Sequence, residues 1–215
     1  MRKKLSRWTA GSTHQFVGFQ PVVRCLIAGL AVLLTSPAVA RQGAAGTNWL
    51  DQPLTNWNDA DRLPAAAPPR GEDGDALRAR CGITRGESPA HRTLEEEGWT
   101  PYSHLDRELT RGDVELLAGM TAADEACQPT HFQMFVFVQG RFAGTLSPQP
   151  MTTGRDGSAG AVRIIEADII RGEFARFQDS DAPCCPTSRM TVQYRIDRTG
   201  KHALVIPVDV RTTRG

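Results

Sequence analysis

Lysine is nearly absent beyond residue 40, where Lys201 stands beside 19 arginines among the basic side chains. The skew reads first as a coding-composition bias and second as a binding surface. A surplus of positive charge is missing as well. The whole chain sets 25 Lys and Arg against 24 Asp and Glu, but five of the basic residues (Arg2, Lys3, Lys4, Arg7 and Arg24) fall in the first 40 positions, which hold no acid. Residues 41–215 keep 20 basic and 24 acidic side chains, a net charge near −4 with His neutral. That balance excludes nucleic acid as an expected partner, because neutralising phosphates takes an excess of Lys and Arg on one face. Long apolar runs are lacking too. The stretch Cys25–Leu34 is ten residues long, against the roughly 20 needed to cross ~30 Å of hydrocarbon. No stable transmembrane span is expected in the mature chain.

The signatures of catalysis are also missing. There is no Gly-x-Ser-x-Gly elbow, no Gly-x-x-x-x-Gly-Lys loop, no His-Glu-x-x-His and no Gly-x-Gly-x-x-Gly. Without a Cys-x-x-Cys pair, and with His91, His104, His131 and His202 scattered, no metal site is expected. No cofactor is expected either. Asp179-Ser-Asp181 before Ala182-Pro183 reads as a turn rather than an acidic metal loop.

What is present begins with an address. A basic segment from Met1 to Arg24, the apolar stretch Cys25–Leu34 and Pro37-Ala38-Val39-Ala40 fit the three-part pattern of a secretory signal peptide. Residues 1–40 are therefore read as a signal peptide cleaved after Ala40, with a retained N-terminal anchor as the alternative. No twin-arginine pair precedes the apolar core, and Cys25 opens that core instead of closing a lipobox. The expected location is periplasmic or secreted, without a lipid anchor.

Residues 41–75, rich in Ala, Gly, Pro, Asn and Asp, read as an extended linker, because they bury too little apolar area to offset their ordering entropy. Trp49, Leu50, Leu54 and Trp57 are the residues within it that can dock on a neighbouring fold. Residues 76–215 read as a single β-rich domain. Ser88 as N-cap, Pro89 at the first helical position and Gly98 as terminator mark one short helix. After Gly98 the period shortens to two. Met190, Val192, Tyr194 and Ile196 alternate with Arg189, Thr191, Gln193 and Arg195, the pattern of a strand with one wet face.

Phe132–Val138 is apolar on both faces from Phe135 onward, so it belongs at the centre of a sheet, and Gln139-Gly140 turns it into Arg141–Leu146. Further candidates are Val114–Met120, Val162–Ile170, Glu173–Gln178 and Leu204–Val210, with Arg171-Gly172 and Asp197–Gly200 as links. Short links imply antiparallel neighbours. The expected fold is α+β, mainly β: an antiparallel meander of about six or seven strands preceded by one short helix. Leu146–Gly157 is its longest exposed loop.

Four cysteines remain after cleavage, Cys81, Cys127, Cys184 and Cys185, an even number in an oxidising compartment, which reads as two disulfides. Three connectivities are open. Adjacent side chains of an extended segment point apart, and Pro183 and Pro186 favour extension, so pairing each neighbour with a distant cysteine is preferred over Cys81–Cys127 with a vicinal Cys184–Cys185 ring. Arg141, Arg155 and Arg176, beside the expected hairpins, are the candidate ligand-binding residues, since a guanidinium holds an anion bidentately. The leading functional expectation is a non-catalytic binding or structural module whose partner is an unknown envelope component. The alternative is an enzyme whose site gathers separated residues such as His131, Arg141 and Asp181.

Three stretches together resemble a family. Phe132–Met151, Glu173–Phe177 with Asp179-Ser-Asp181, and Pro183-Cys-Cys-Pro186 with Thr191–Ile196 are similar to the LppP/LprE-type cell-envelope proteins of bacteria. Thr55-Asn56-Trp57-Asn58 and Gly98-Trp99 fit the same picture. The resemblance implies an exported protein with a four-cysteine framework, and it implies no activity.

Overall fold

The computed structural model describes residues 48–59, 62–64, 73–102, 109–182 and 184–214. The segments read as a signal peptide, and His104 and Pro183, lie outside the described residues.

Two helices come first. In α1 (Gly74–Cys81) the Asp73 side chain accepts from the Ala76 N–H, and Gly82, left-handed at φ 63°, closes the C-terminus. In α2 (Pro89–Glu96) Ser88 caps the start through the His91 N–H, as its sequence foretells. Glu95 of α2 is not simply solvated. It takes Arg78 of α1 at 3.2 Å and Arg85 at 3.1 Å, which ties the two helices together.

The strands β1 (Thr100–Tyr102), β2 (Thr110–Arg111), β3 (Val114–Ala123), β4 (Pro129–Val138) and β5 (Arg141–Thr145) make one sheet in the order β1-β3-β4-β5, with β2 also on β3. The second sheet runs β6 (Ala159–Glu166), β7 (Ile169–Arg176), β8 (Ser188–Asp197) and β9 (Leu204–Arg214) in chain order. Among the described residues every pairing is antiparallel.

The α+β, mainly β expectation holds, but the single meander of six or seven strands after one helix does not. The described residues form nine strands in two sheets, with two helices. Tight turns reveal which strands are neighbours and not where the chain leaves a sheet. It leaves after β5, along residues 146–158. That loop is less exposed than its composition suggests: Met151 pairs back to Phe132 through two backbone hydrogen bonds of 2.7 and 2.9 Å.

A second correction concerns Arg171-Gly172, expected as a turn and found in mid-strand opposite Gln193 and Val192. The turn lies at Ala167-Asp168 instead, with Glu166 paired to Ile169. Gly172 is there for space: a Cβ would come within 2.9 Å of the Phe174 ring. The Gln139-Gly140 hairpin forms where expected, both residues at positive φ (52° and 72°), as a two-residue turn between twisted strands requires.

β4 carries the core on both faces, as its two-sided apolar pattern and its place between β3 and β5 dictate. Phe132, Met134, Val136 and Val138 join a large cluster with Ile170, Phe174, Val192 and Tyr194 of the second sheet. Phe135 and Phe137 face the other way and pack with Ala90 and Leu94 of α2 and with Trp99. The wet face of β8 lies where alternation puts it, with Val192, Tyr194 and Ile196 buried and Arg189 and Arg195 exposed.

Within residues 41–75, the segment from Asn48 to Asp59 lies on this core. Trp49 and Leu50 are buried in the inter-sheet cluster, and Leu54 and Trp57 pack at its edge. The Trp49 ring meets Trp57 edge-on at 5.6 Å and Phe174 at 4.9 Å.

The preferred cysteine pairing is also overturned. Cys81 bonds Cys127 and Cys184 bonds its neighbour Cys185. The first bridge joins the end of α1 to the turn before β4, with Cα atoms 5.6 Å apart, because α1 packs beside that turn. Arg80 adds to the junction by donating to the Asp124 and Ala123 carbonyls at 2.8 and 3.2 Å.

Candidate functional site

A groove with largely apolar, aromatic walls is built where the segment Asn48–Asp59 crosses β5. The Asn58 side chain copies a strand: its Oδ1 accepts from the Thr145 N–H at 2.7 Å, and its Nδ2 donates to the Thr145 carbonyl at 2.9 Å and the Val205 carbonyl at 3.0 Å. Gly144, at φ 148°, makes the approach possible, since a Cβ there would lie 2.6 Å from the Asn58 Cγ. Trp57, next to Asn58, donates its indole N–H to Thr145 and stands edge-on to the buried Tyr194 at 6.3 Å. The Tyr194 hydroxyl donates to the Leu146 carbonyl. Across the gap, Trp99 donates its indole N–H to the Pro64 carbonyl at 2.9 Å. His131 of β4 stacks on the Trp99 ring with centroids 5.9 Å apart and planes 5° from parallel.

These elements enclose about 400 Å³. Half-buried Trp57, His131 and Phe142 and exposed Pro148 and Pro150 supply apolar wall, while Asp59 and Arg62 stand exposed at the rim. Most polar groups of the wall are committed to holding it. The Gln133 amide donates to the Ser147 carbonyl at 2.7 Å, and the Thr121 hydroxyl meets His131 Nδ1 at 2.6 Å. Burial lowers the His131 pKa from its ordinary 6.5. As pH falls, the unfolded chain therefore takes up the proton before the folded one does. Stability is full above about pH 6.5 and declines below it, until the folded imidazole is protonated too. The denaturation midpoint is expected to drop between pH 7 and pH 5, and the imidazole resonance of His131 to titrate below 6.5.

The three candidate arginines do not converge. Arg176 is a clamp: it reaches Asp51 of the N-terminal segment at 2.9 Å and Asp156 of the inter-sheet loop at 3.0 Å. Burial opposes its charge, and the two carboxylates outweigh that and raise its pKa. Arg155 is exposed in the same loop. Arg141 lines a separate cavity of about 470 Å³ between two hairpin ends, with Gln139, Phe142, Arg198, Lys201 and His202. Arg198 is already spent there on Asp113 (2.8 Å) and Asp168 (2.6 Å).

His131, Arg141 and Asp181 are likewise apart. His131 lines the aromatic groove and Arg141 the other cavity. Asp181 holds its own loop, accepting from the Gln178 and Thr187 N–H groups at 2.9 and 2.8 Å and from the Thr187 hydroxyl. Among the described residues no three of His, Cys, Asp and Glu are grouped to hold a metal ion. Sequence reasoning missed the groove because half of it comes from a stretch read as linker. The signals were two tryptophans, Trp49 and Trp57, in an otherwise polar, Pro-rich segment.

Fold and site together define a class: a disulfide-bonded β protein of two packed antiparallel sheets, with an aromatic groove roofed by its own N-terminal segment. Over residues 112–199, from the start of β3 to the end of β8, the chain matches the LppP/LprE lipoprotein family. The resemblance carried by Phe132–Met151, Glu173–Phe177 and the paired cysteines is thereby borne out, and it points to the cell envelope. No curated protein and no solved structure matches the chain. No helix among the described residues is long and apolar enough to cross a membrane.

Proposed function

We propose that the chain is an exported, non-catalytic binding module of the bacterial envelope, working in the periplasm or outside the cell, and that the aromatic groove takes a segment of envelope polysaccharide. One observation carries this reading: the groove pairs ring and proline faces with a polar rim (Asp59, Arg62). A sugar ring has the matching surfaces, an apolar C–H face and an edge of hydroxyls, and sites of this kind combine apolar walls with a few placed polar groups. A peptide adding itself as a strand is disfavoured, because Asn58 already occupies the hydrogen-bonding edge of β5 at Thr145.

The test is a titration of the folded protein with short envelope polysaccharide fragments, monitored by tryptophan fluorescence and amide shifts. Saturable change confined to residues 57–59, 62–64, 99, 131–133 and 142–150 is expected. Phe142→Ala and Arg62→Ala should each weaken binding about tenfold, some 1.4 kcal/mol. Shifts at Arg141 and Lys201 instead, or no saturation, would sink the reading.

A further inference from the structure

We infer that the Cys184–Cys185 disulfide is an exchange site, a place where the folded protein gives and takes electrons with an external dithiol, and not a cross-link. Its place in the chain is the first reason. A bridge stabilises mainly by closing a loop in the unfolded chain, and a sequence separation of 1 closes none, whereas Cys81–Cys127 spans 46. Access is the second. Cys184 and Cys185 are both exposed, while Cys81 packs against the main core.

The third reason is that the loop holding the pair is fixed by other means. The carboxylate of Asp181 gathers the Gln178 N–H, the Thr187 N–H and the Thr187 hydroxyl, and the Cys185 N–H donates to the Ala182 carbonyl at 2.9 Å. Those bonds pull the Asp181 carboxyl below its ordinary range, led by the Thr187 hydroxyl. Just outside the loop, Arg176 pairs with Ser188, so the β7–β8 ladder begins independently of the sulfurs. Opening the ring therefore leaves these bonds and the ladder intact.

The chemistry balances with a dithiol as co-reactant. Its thiolate attacks one ring sulfur, the Cys184–Cys185 bond breaks, and the displaced cysteine leaves as a thiolate that takes a proton. The second thiolate of the dithiol then attacks the mixed disulfide and releases the other cysteine, which is protonated in turn. Two electrons and two protons end on Cys184 and Cys185, and the dithiol departs as a disulfide. Oxidation is the reverse. The groove shares no residue with this loop, so the two proposals stand or fall separately.

The experiment is a graded dithiothreitol titration of the intact folded protein, quenched by alkylation and read by peptide mass spectrometry, with circular dichroism recorded at each step. Cys184 and Cys185 are expected to be alkylated together at a reductant concentration about tenfold below that needed for Cys81 and Cys127, a gap of some 30 mV. The strand signal should not change. The Cys184→Ser/Cys185→Ser variant should melt within about 2 °C of the parent protein, a shift of at most about 1 kcal/mol for a chain this long. Alkylation that arrives only with unfolding, peptides joining Cys184 or Cys185 to another cysteine, or a large loss of melting temperature in the double variant would each overturn the inference.

Discussion

Replacing Cys81 and Cys127 together by serine is expected to lower the unfolding free energy by about 4 kcal/mol, the loop-closure entropy of a bridge spanning 46 residues. The melting temperature should fall by roughly 8–16 °C, given about 2–4 °C per kcal/mol for a domain of this size. The residual fold should remain, because Arg80 still donates to the Asp124 and Ala123 carbonyls and Leu77 stays buried beneath α1. Chemical denaturation of the double variant beside the parent measures the loss. A loss under about 1 kcal/mol would mean that the reduced chain is already restrained near this junction.

Trp49→Ala is expected to cost about 3–5 kcal/mol, the usual range for truncating a buried aromatic side chain to alanine. Trp49 is 8% exposed and wedged between Trp57 and Phe174. Its indole N–H is the one buried side-chain polar atom without a hydrogen-bond partner among the described residues. Leaving such a group unpaired costs about 1–3 kcal/mol, so Trp49→Phe, which keeps a ring and removes the N–H, should lose less than half as much as the alanine. Chains beginning at residue 48 and at residue 76 extend the test. The shorter one lacks Trp49, Leu50, Trp57 and Asn58 and should melt far lower. Equal stability of the two would show that the N-terminal segment is a passive tether.

These expectations depend on features unequally visible in the sequence. The Ser88-Pro89 start of α2 and the alternation along β8 were legible because each is decided within a few residues, by capping chemistry and by one wet face. The two-sided run of β4 announced its central place for the same reason. Helix α1 carried its Asp73 cap and Gly82 terminator, but Leu77 is its single buried residue, and one apolar position makes no stripe. Gly172 misled because glycine marks both a turn and a close approach, and only the rings of Phe174 and Tyr194 decide which. The cysteine pairing failed similarly, since whether Cys81 and Cys127 meet depends on where α1 packs. Of the groove, Phe142 and the Pro148-Gln-Pro150 turn sat in stretches singled out by pattern. Trp57 was marked as a residue able to dock, but the part Asn58 plays was not legible, because it rests on the backbone of Thr145 and Val205.

Asn58 also has a consequence for the order of events during folding. It binds residue 145 and residue 205 at once, so a segment made early must wait for β9 before its full set of bonds can close. Contacts of such long separation form slowly. Until β9 arrives, only the bonds to Thr145 hold Asn58 on the outer edge of β5, and an edge covered so lightly invites pairing between nascent β chains. Residues 204–214 thus govern whether residues 48–59 can seal the sheet, and a chain cut short before β9 would keep a poorly guarded edge.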